Sequence, residues 1–171
     1  AGVICSNKDE EGRKSVFDFL PENTRWVMVG RLDLNTSGLL LFTNNGDLAN
    51  KLMHPSSEID REYAVRVLGR VSDEDIKQLI SGIELDDGFA KFHKVTLGGG
   101  DGANRWYHVV VREGRKREVR RLWEALDFKV SRLIRTRFSD IRMPDNLRAN
   151  QSELLKPKQV QALLNAVKLK G

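Results

Sequence analysis

The glycine-rich run at 98–102 most constrains what this chain can fold into, because it lies between two segments with the composition of β-strands. Phe92–Leu97 precedes it and Trp106–Arg112 follows it, and both are rich in apolar, β-branched and aromatic residues. Glycine readily adopts the positive φ that a strand reversal needs. We therefore predict an antiparallel hairpin with residues 98–102 as its loop. The run has no following Lys-Ser or Lys-Thr and leads into a strand, so it does not predict a phosphate-binding P-loop.

Strand-like and helical segments are interspersed along the rest of the chain. Residues 1–25 are expected to form loops and turns. Hairpin-linked strands favour a mixed, largely antiparallel sheet with helices packed on it, an α+β fold, over a doubly wound parallel sheet. With 171 residues, the chain can form one domain or two small lobes that share a core. The further predicted elements are strands at 26–29, 39–43, 62–68 and 133–138, and helices at 47–53, 73–81, 117–127 and 160–167.

Composition narrows the class of protein. No apolar run is long enough to cross a bilayer, and the first residues carry no secretory signal. Cys5 is the single cysteine and cannot form an internal disulfide, which fits a reducing cytosol. The three histidines, His54, His93 and His108, lack metal-ligand spacing. We therefore expect a cytoplasmic protein with no metal and no membrane association, and a monomer because no large apolar stripe is left over.

Positive charge is concentrated in one segment. Residues 112–137 contain ten Lys or Arg and four acidic residues, a net +6 in a chain whose total is +5. A run of charge is more often a solvated face than a binding site. An excess of positive charge confined to one segment of an otherwise neutral chain nevertheless favours a polyanionic partner, and nucleic acid is the first candidate.

Asp33 stands in a glycine-bounded turn between two apolar strand-like runs. A carboxylate in a turn is most often a solvated loop residue. Here Asn35, Thr36 and Ser37 follow it at once, and such short polar side chains can hydrogen-bond the turn and fix the direction of the carboxylate. Asp33 is therefore a candidate reactive group.

The predicted helix at 117–127 has a buried stripe and a basic back. Its apolar residues recur at the spacing of one helix face. Arg117 and Arg121 fall on the opposite face, where a solvated helix back explains them well. Arg120 lies at the flank, a position from which a side chain can reach over the core edge into a cleft. The residues of the apolar stripe are Val119, Leu122, Trp123 and Leu126.

Three stretches occur in a family-specific order: Gly30–Phe42, Asp60–Val65 and Glu113–Leu122. Together they resemble the signatures of the RsuA/RluB-type ribosomal RNA pseudouridine synthases, and the resemblance extends over nearly the whole chain. Arg121–Ala125 and Asp101–Tyr107 are most similar to the subgroup that modifies the large ribosomal subunit. The resemblance implies a pseudouridine synthase catalytic domain at 1–171, no cofactor, and a 23S rRNA stem-loop as partner. Family members usually begin with a small S4-like RNA-binding domain, which we expect to be absent here.

The resemblance also implies roles for individual residues. Asp33 is then the catalytic carboxylate, and Arg120 the cation that contacts it. An isolated tyrosine in an alternating strand is more often a core residue, but the family carries a tyrosine beside the target base at the place of Tyr63. Leu133 and Ile134 could form the pocket wall, although core packing explains each equally well. The residues expected to hold phosphates or a refolded loop are Arg31, Arg61, Arg115, Arg117 and Arg121.

The implied reaction breaks the N1–C1′ bond of a uridine, turns the base and joins C5 to C1′. It needs a carboxylate beside the ribose, either as nucleophile at C1′ or as base at C2′, and the residues leave both open. A non-catalytic rRNA-binding or ribosome assembly module is the alternative. It would explain the basic segment and Tyr63. It gives the Asp33 carboxylate no function, however, and a negative charge in a site for a polyanion repels the ligand. A glycosidase-like hydrolase is less favoured, because it would usually need two carboxylates.

Overall fold

The computed structural model describes residues 2–8, 20, 25–33, 35–101 and 104–168. Its secondary structure consists of short helices and many strands. The strands are β1 (Val3–Lys8), β2 (Val27–Val29), β3 (Ser37–Thr43), β4 (Arg61–Leu68), β5 (Ile83–Leu85), β6 (Gly88–Ala90), β7 (Lys94–Asp101), β8 (Asn104–Val111), β9 (Lys129–Phe138), β10 (Ile141–Arg142) and β11 (Ser152–Leu154). The helices are α1 (Gly46–Met53), α2 (Asp73–Ser81), α3 (Glu118–Glu124) and α4 (Pro157–Ala166), with a 3₁₀ turn at Pro55–Ser57.

One large sheet organises the molecule, with strand order β11-β1-β3-β9-β4-β8-β7. β2 pairs with β3 and β10 with β9, while β5 and β6 form a separate two-stranded sheet. Among the strand pairs of the described residues, β3 and β9 alone run parallel. The predicted α+β fold with a mixed, largely antiparallel sheet is therefore confirmed. Among the described residues, no helix is long and apolar enough to span a membrane.

Two apolar cores flank the junction between β3 and β9. One packs residues of α2 and α3 against β4, β8 and β9, with Trp123 fully buried between the rings of Phe92, Tyr107 and Phe128. The other packs α1 and α4 against β1 and β3. Side chains alternate across a strand, so successive residues of β9 point to opposite faces of the sheet.

Local sequence signals predict the helices well. Ser72 caps α2: its hydroxyl accepts from the Asp75 amide at 3.1 Å, and the Asp75 carboxylate accepts from the Ser72 amide at 2.9 Å. Gly82 ends α2 with φ +114°, a conformation that L side chains rarely adopt. α1 ends before His54, whose backbone is extended because proline follows it.

Several predictions of local structure are wrong. Residues 3–8 are not loop but the strand β1, whose side chains are buried on both faces and so show no alternation. The glycines at 98–100 belong to β7 and not to a loop, because a bulge after Leu97 and positive φ values let the strand continue. The helix predicted at 117–127 spans only Glu118–Glu124. The short strands β5, β6, β10 and β11 were not predicted.

Candidate active site

A cavity of about 440 Å³ opens where the turn after β2 meets β4, β9 and the segment before α3. We call residues 30–33, 35 and 36 the Asp33 turn and residues 112–117 the basic loop. The sheet face that borders this cavity is the cavity face, and the opposite one is the rear face. Of the residues predicted for the site, the lining includes Asp33, Tyr63, Leu133, Arg31, Arg61, Arg115 and Arg117.

The Asp33 turn is held by the main chain and by a lysine from β1. The Thr36 amide donates to the Asp33 carbonyl at 2.9 Å. Lys8 Nζ donates to the same carbonyl at 3.1 Å and to the Thr36 carbonyl at 2.8 Å. Thr36 Oγ1, predicted to brace the turn, is buried without a hydrogen-bond partner within the described residues. Lys8 was missed because residues 1–25 were expected to be loop.

The Asp33 carboxylate is bound by the backbone of the basic loop. The Arg117 amide donates to Asp33 Oδ2 at 3.2 Å. Arg117 has φ +52°, in the left-handed region, and this conformation places its amide at the carboxylate just before α3 begins. The Arg117 side chain turns away to donate to Glu124 at 3.1 Å. Arg117 therefore contacts the site through its N–H and not through its guanidinium.

Arg120 reaches the Asp33 turn from the flank of α3, the position from which contact was predicted. Its Nη2 donates to the Asn35 carbonyl at 2.8 Å and its Nη1 to the Val130 carbonyl at 3.3 Å. These bonds tie α3 and β9 to the turn two residues beyond Asp33. Its predicted contact with the Asp33 carboxylate stays a prediction.

Arg135 is a cavity residue that the sequence reasoning missed. It is 3% exposed, and its Nε donates to the Leu39 carbonyl at 2.8 Å. Its guanidinium lies 5.3 Å from the centre of the Phe138 ring, and its Nη2 has no hydrogen-bond partner within the described residues. An unpaired buried donor of this kind is uncommon in folded proteins. The only sequence signal was its membership of the basic segment.

Tyr63 and Arg61 share the cavity face of β4. Tyr63 is half-buried and pairs across the sheet with Arg135. Arg61 is 7% exposed; it donates to the Ile59 carbonyl at 2.9 Å and packs 5.1 Å from the Phe138 ring centre. Burial lowers the pKa of Arg61 below its usual value. Arg61 thus forms part of the cavity floor, which does not favour its predicted role at a surface phosphate.

Leu133 and Ile134 were predicted together as the pocket wall, and the strand separates them. Leu133 is buried and lines the cavity. Ile134 is the next residue of β9, so its side chain points to the rear face, where it lines a different groove. The prediction for Ile134 is therefore corrected: it does not line the cavity.

Acidic residues fasten the basic loop and α3 to the fold, and they pair with two of the predicted phosphate-binding arginines. Arg121 donates to both oxygens of Asp87, at 2.8 and 3.0 Å. Arg115 donates to Glu113 at 2.6 Å and to Asp87 at 3.3 Å. Hydrogen bonding to Glu113 raises the pKa of Arg115, and hydrogen bonding to Asp87 raises the pKa of Arg121. Arg121 does not line the cavity, whereas the exposed Arg31 and Lys116 do.

Glu118 is a buried acid beneath the basic loop. It is 3% exposed, and burial, followed by the neighbouring Glu113 carboxylate, raises its pKa to about 9. The Glu118 carboxyl group in turn lowers the pKa of Glu113. Arg115 Nε lies 3.4 Å from Glu118 Oε2. The described residues contain no group of three or more His, Cys, Asp or Glu side chains that could hold a metal ion.

Comparison with known proteins shows what the chain is similar to. The model of the RNA pseudouridylate synthase family matches residues 1–125. The ribosomal large subunit pseudouridine synthase B of Yersinia pestis is 59% identical over 148 residues, covering 85% of this chain and 46% of that protein. The protein of the same name from Vibrio vulnificus is 51% identical over 171 residues, covering 99% and 53%. The chain thus spans about half the length of these curated relatives.

A solved structure shows the same fold. The crystal structure of a pseudouridylate synthase superposes with a TM-score of 0.83 at 22% identity, covering 95% of this chain and 73% of that one. The predicted resemblance, including the large-subunit subgroup, is confirmed by the family match and by the relatives. On the strength of that match over residues 1–125, the chain belongs to the RNA pseudouridylate synthase family.

Proposed function

We propose that this chain converts a uridine of large-subunit (23S) ribosomal RNA to pseudouridine, with Asp33 as the reacting carboxylate. The observation that carries the proposal is the cavity in which Asp33, Tyr63 and Arg135 come together from separate strands and turns. Family membership supplies the reaction class, and the names of the relatives supply the ribosomal substrate. We also propose that the protein acts as a cytoplasmic monomer.

In the proposed reaction the target uridine leaves its stack, which costs a few kcal/mol. Tyr63 then stacks on or abuts the uracil, and Leu133 forms an apolar wall beside it. The Arg117 amide holds the Asp33 carboxylate in place through its hydrogen bond to Oδ2. The carboxylate acts either at C1′ of the ribose, forming an ester, or at C2′ as a base. Both routes rejoin the same base to C1′ through C5 and leave the mass of the RNA unchanged.

Arg120 and Arg135 are the two cations proposed to support the reaction, Arg120 by positioning Asp33 and Arg135 by binding the substrate. Arg120 acts on the Asp33 turn through the Asn35 carbonyl, so it fixes the position of the carboxylate. Arg135 lines the cavity, and its guanidinium suits a uracil carbonyl or a phosphate oxygen. Since Arg135 is rigidly held through Leu39, it can bind substrate with little loss of side-chain entropy.

The test is an isomerisation assay on the purified chain. Stem-loop fragments of 23S rRNA are incubated with it, and pseudouridine is detected by carbodiimide labelling and reverse transcription. We expect one modified uridine in one fragment and none with Asp33→Asn, the matched control. Binding without isomerisation would contradict the proposal and favour the non-catalytic RNA-binding alternative. Sedimentation of the same sample tests the monomer.

A further inference from the structure

The rear face of the sheet carries a second concave surface that the proposed reaction does not use. A groove of about 630 Å³ lies there, lined in part by His108, Arg132 and Ile134. Arg66 pairs across the sheet with both Trp106 and Arg132, so these three side chains share the rear face. All five side chains are half-buried, whereas four residues that alternate with them are in the core: Val65, Val67, Tyr107 and Leu133.

Arg66 and Trp106 are in contact beside this groove, and we call this pair the Arg66–Trp106 platform. The Arg66 guanidinium lies 5.7 Å from the centre of the Trp106 ring, at the distance of a cation–π contact. Arg66 Nε also donates to Ser131 Oγ at 2.9 Å, and Ser131 Oγ donates back to the Arg66 carbonyl at 3.2 Å. The guanidinium is therefore held in one orientation, with its remaining N–H donors available to a ligand.

The glycine run of β7 leaves the edge of this platform without side chains. Gly99 pairs with Trp106, and a Cβ added at Gly99 would meet nothing within 4 Å. A Cβ added at Gly98 would lie 2.9 Å from a His108 ring carbon, so a side chain there would displace the histidine. The glycine run at 98–100 thus leaves room for a partner to approach the rings of Trp106 and His108 closely.

The charge of the rear face suits a polyanion. Lys8, Arg132 and Arg142 line the groove. Lys8 Nζ donates to the Asp33 turn and Arg142 pairs with Glu62 at 3.3 Å, so the proposal uses Arg132 and the neighbouring Arg66. Cations beside an accessible aromatic ring are a combination by which proteins bind single-stranded nucleic acid: the ring stacks a base and the cations bind the flanking phosphates.

We propose that the rear face binds a single-stranded stretch of RNA, with a base stacked at the Arg66–Trp106 platform and phosphates on Arg66 and Arg132. A duplex is disfavoured because its paired bases do not present a free face to the ring. The site lies on the opposite side of β4 and β9 from the cavity. It therefore holds RNA that flanks the reacting segment, and binding there does not depend on the reaction.

The first test uses a labelled oligoadenylate, which contains no uridine and cannot react. By fluorescence anisotropy, Trp106→Ala is expected to weaken binding by about five-fold or more, the lower end of a lost base–aromatic stack. Trp106→Phe keeps a ring and is expected to stay within about two-fold of the wild type. Replacing Arg66 and Arg132 together with Met should reduce the slope of log affinity against log salt by about 1.4. Lys77→Met, an exposed cation on α2, is the matched control and should leave the slope unchanged.

A second measurement covers the possibility that a variant folds poorly. The wild-type chain is photo-crosslinked to oligoadenylate that carries 8-azidoadenosine, and the adducts are mapped by mass spectrometry. Adducts on residues 104–108 support the proposal, and adducts confined to the cavity overturn it. Unchanged oligoadenylate affinity in a folded Trp106→Ala variant would overturn it as well. Neither readout involves pseudouridine, so a failed isomerisation assay would not affect this inference.

Discussion

The Asp33 turn and the basic loop meet at the same cavity, but they are stabilised in opposite ways. The Asp33 turn relies on main-chain bonds and on two cations that donate to its carbonyls, Lys8 and Arg120, and its carboxylate lines the cavity. The basic loop is held by ion pairs with Asp87 and Glu113, so that Arg115 is committed to the fold. The Asp33 turn presents its carboxylate to the cavity, whereas the basic loop uses much of its charge in ion pairs that stabilise its conformation.

This difference shows that charge counted along a sequence is not charge available on a surface. Acids from outside residues 112–137 return to pair with that segment. The net +6 of the segment therefore overstates what RNA would meet. Three such ion pairs are Arg112 with Asp60 at 2.8 Å, Arg121 with Asp87 at 2.8 Å and Arg137 with Glu62 at 3.7 Å.

Asp33→Asn should have the largest effect, because the variant removes the one group of the Asp33 turn that can react. We expect isomerisation to fall to background in single-turnover assays. Affinity for the RNA should stay within a few-fold, since the amide oxygen can still accept from the Arg117 N–H and a charge that repels phosphate is lost. Turnover near that of the wild type would remove Asp33 from the proposed role.

Arg120→Met and Arg121→Met, two substitutions on α3, compare the contacts made to the two regions. Arg120→Met breaks the bond to the Asn35 carbonyl and should slow the single-turnover rate by roughly thirty-fold, the kinetic equivalent of about 2 kcal/mol for one charged hydrogen bond. Arg121→Met loosens only the basic loop and should lower the rate much less. Equal losses in the two variants would show that Arg120 has no special relation to the Asp33 turn.

Tyr63→Ala and Tyr63→Phe separate stacking from core packing. If the ring stacks on the base, Ala should lose about 1–3 kcal/mol of RNA affinity and Phe almost none. Urea unfolding of both variants is the control. A Tyr63→Ala variant that is strongly destabilised, with the affinity of its folded fraction intact, would return Tyr63 to the core interpretation.

Glu118→Gln tests the acids beneath the basic loop. Burial raises the pKa of Glu118 to about 9 in the folded chain. In the unfolded chain the pKa of this carboxyl group is near the ordinary value for Glu. Between these values the folded state binds more protons, so the free energy of unfolding should fall as pH rises, by at most about 1.4 kcal/mol per pH unit. Gln does not titrate, and Glu118→Gln should flatten this fall in urea unfolding between pH 5 and 9. Parallel curves for the two proteins would contradict the assignment.

Sequence reasoning succeeded where a structure is determined by its neighbours in the chain. α2 was predicted because Ser72, Asp75 and Gly82 set both of its ends. β1 was missed because burial on both faces removes the alternation that identifies a strand. The fold class followed from the hairpin-linked strands, which are also local features.

The same limit applies to the site. Asp33 and Tyr63 were found through contiguous motifs. Arg135 becomes a cavity residue only because β9 pairs with β3 and β4, and Lys8 reaches the Asp33 turn only because β1 pairs with β3. Contacts between residues so far apart in the sequence have no local signature. The ion pairing of Asp87 with the basic segment is of the same kind.

The salt dependence of RNA binding should give the smallest effect and the sharpest comparison. Arg31 and Lys116 are exposed, line the cavity and have no ion pair within the described residues, so each is free to bind a phosphate. Arg31→Met and Lys116→Met should each reduce the slope of log affinity against log salt by about 0.7 for single-stranded RNA. Arg121→Met should change it less, because its guanidinium is already paired with Asp87. An Arg121→Met slope as shallow as that of Arg31→Met would mean that RNA displaces Asp87 on binding, and that the basic loop presents its charge after all.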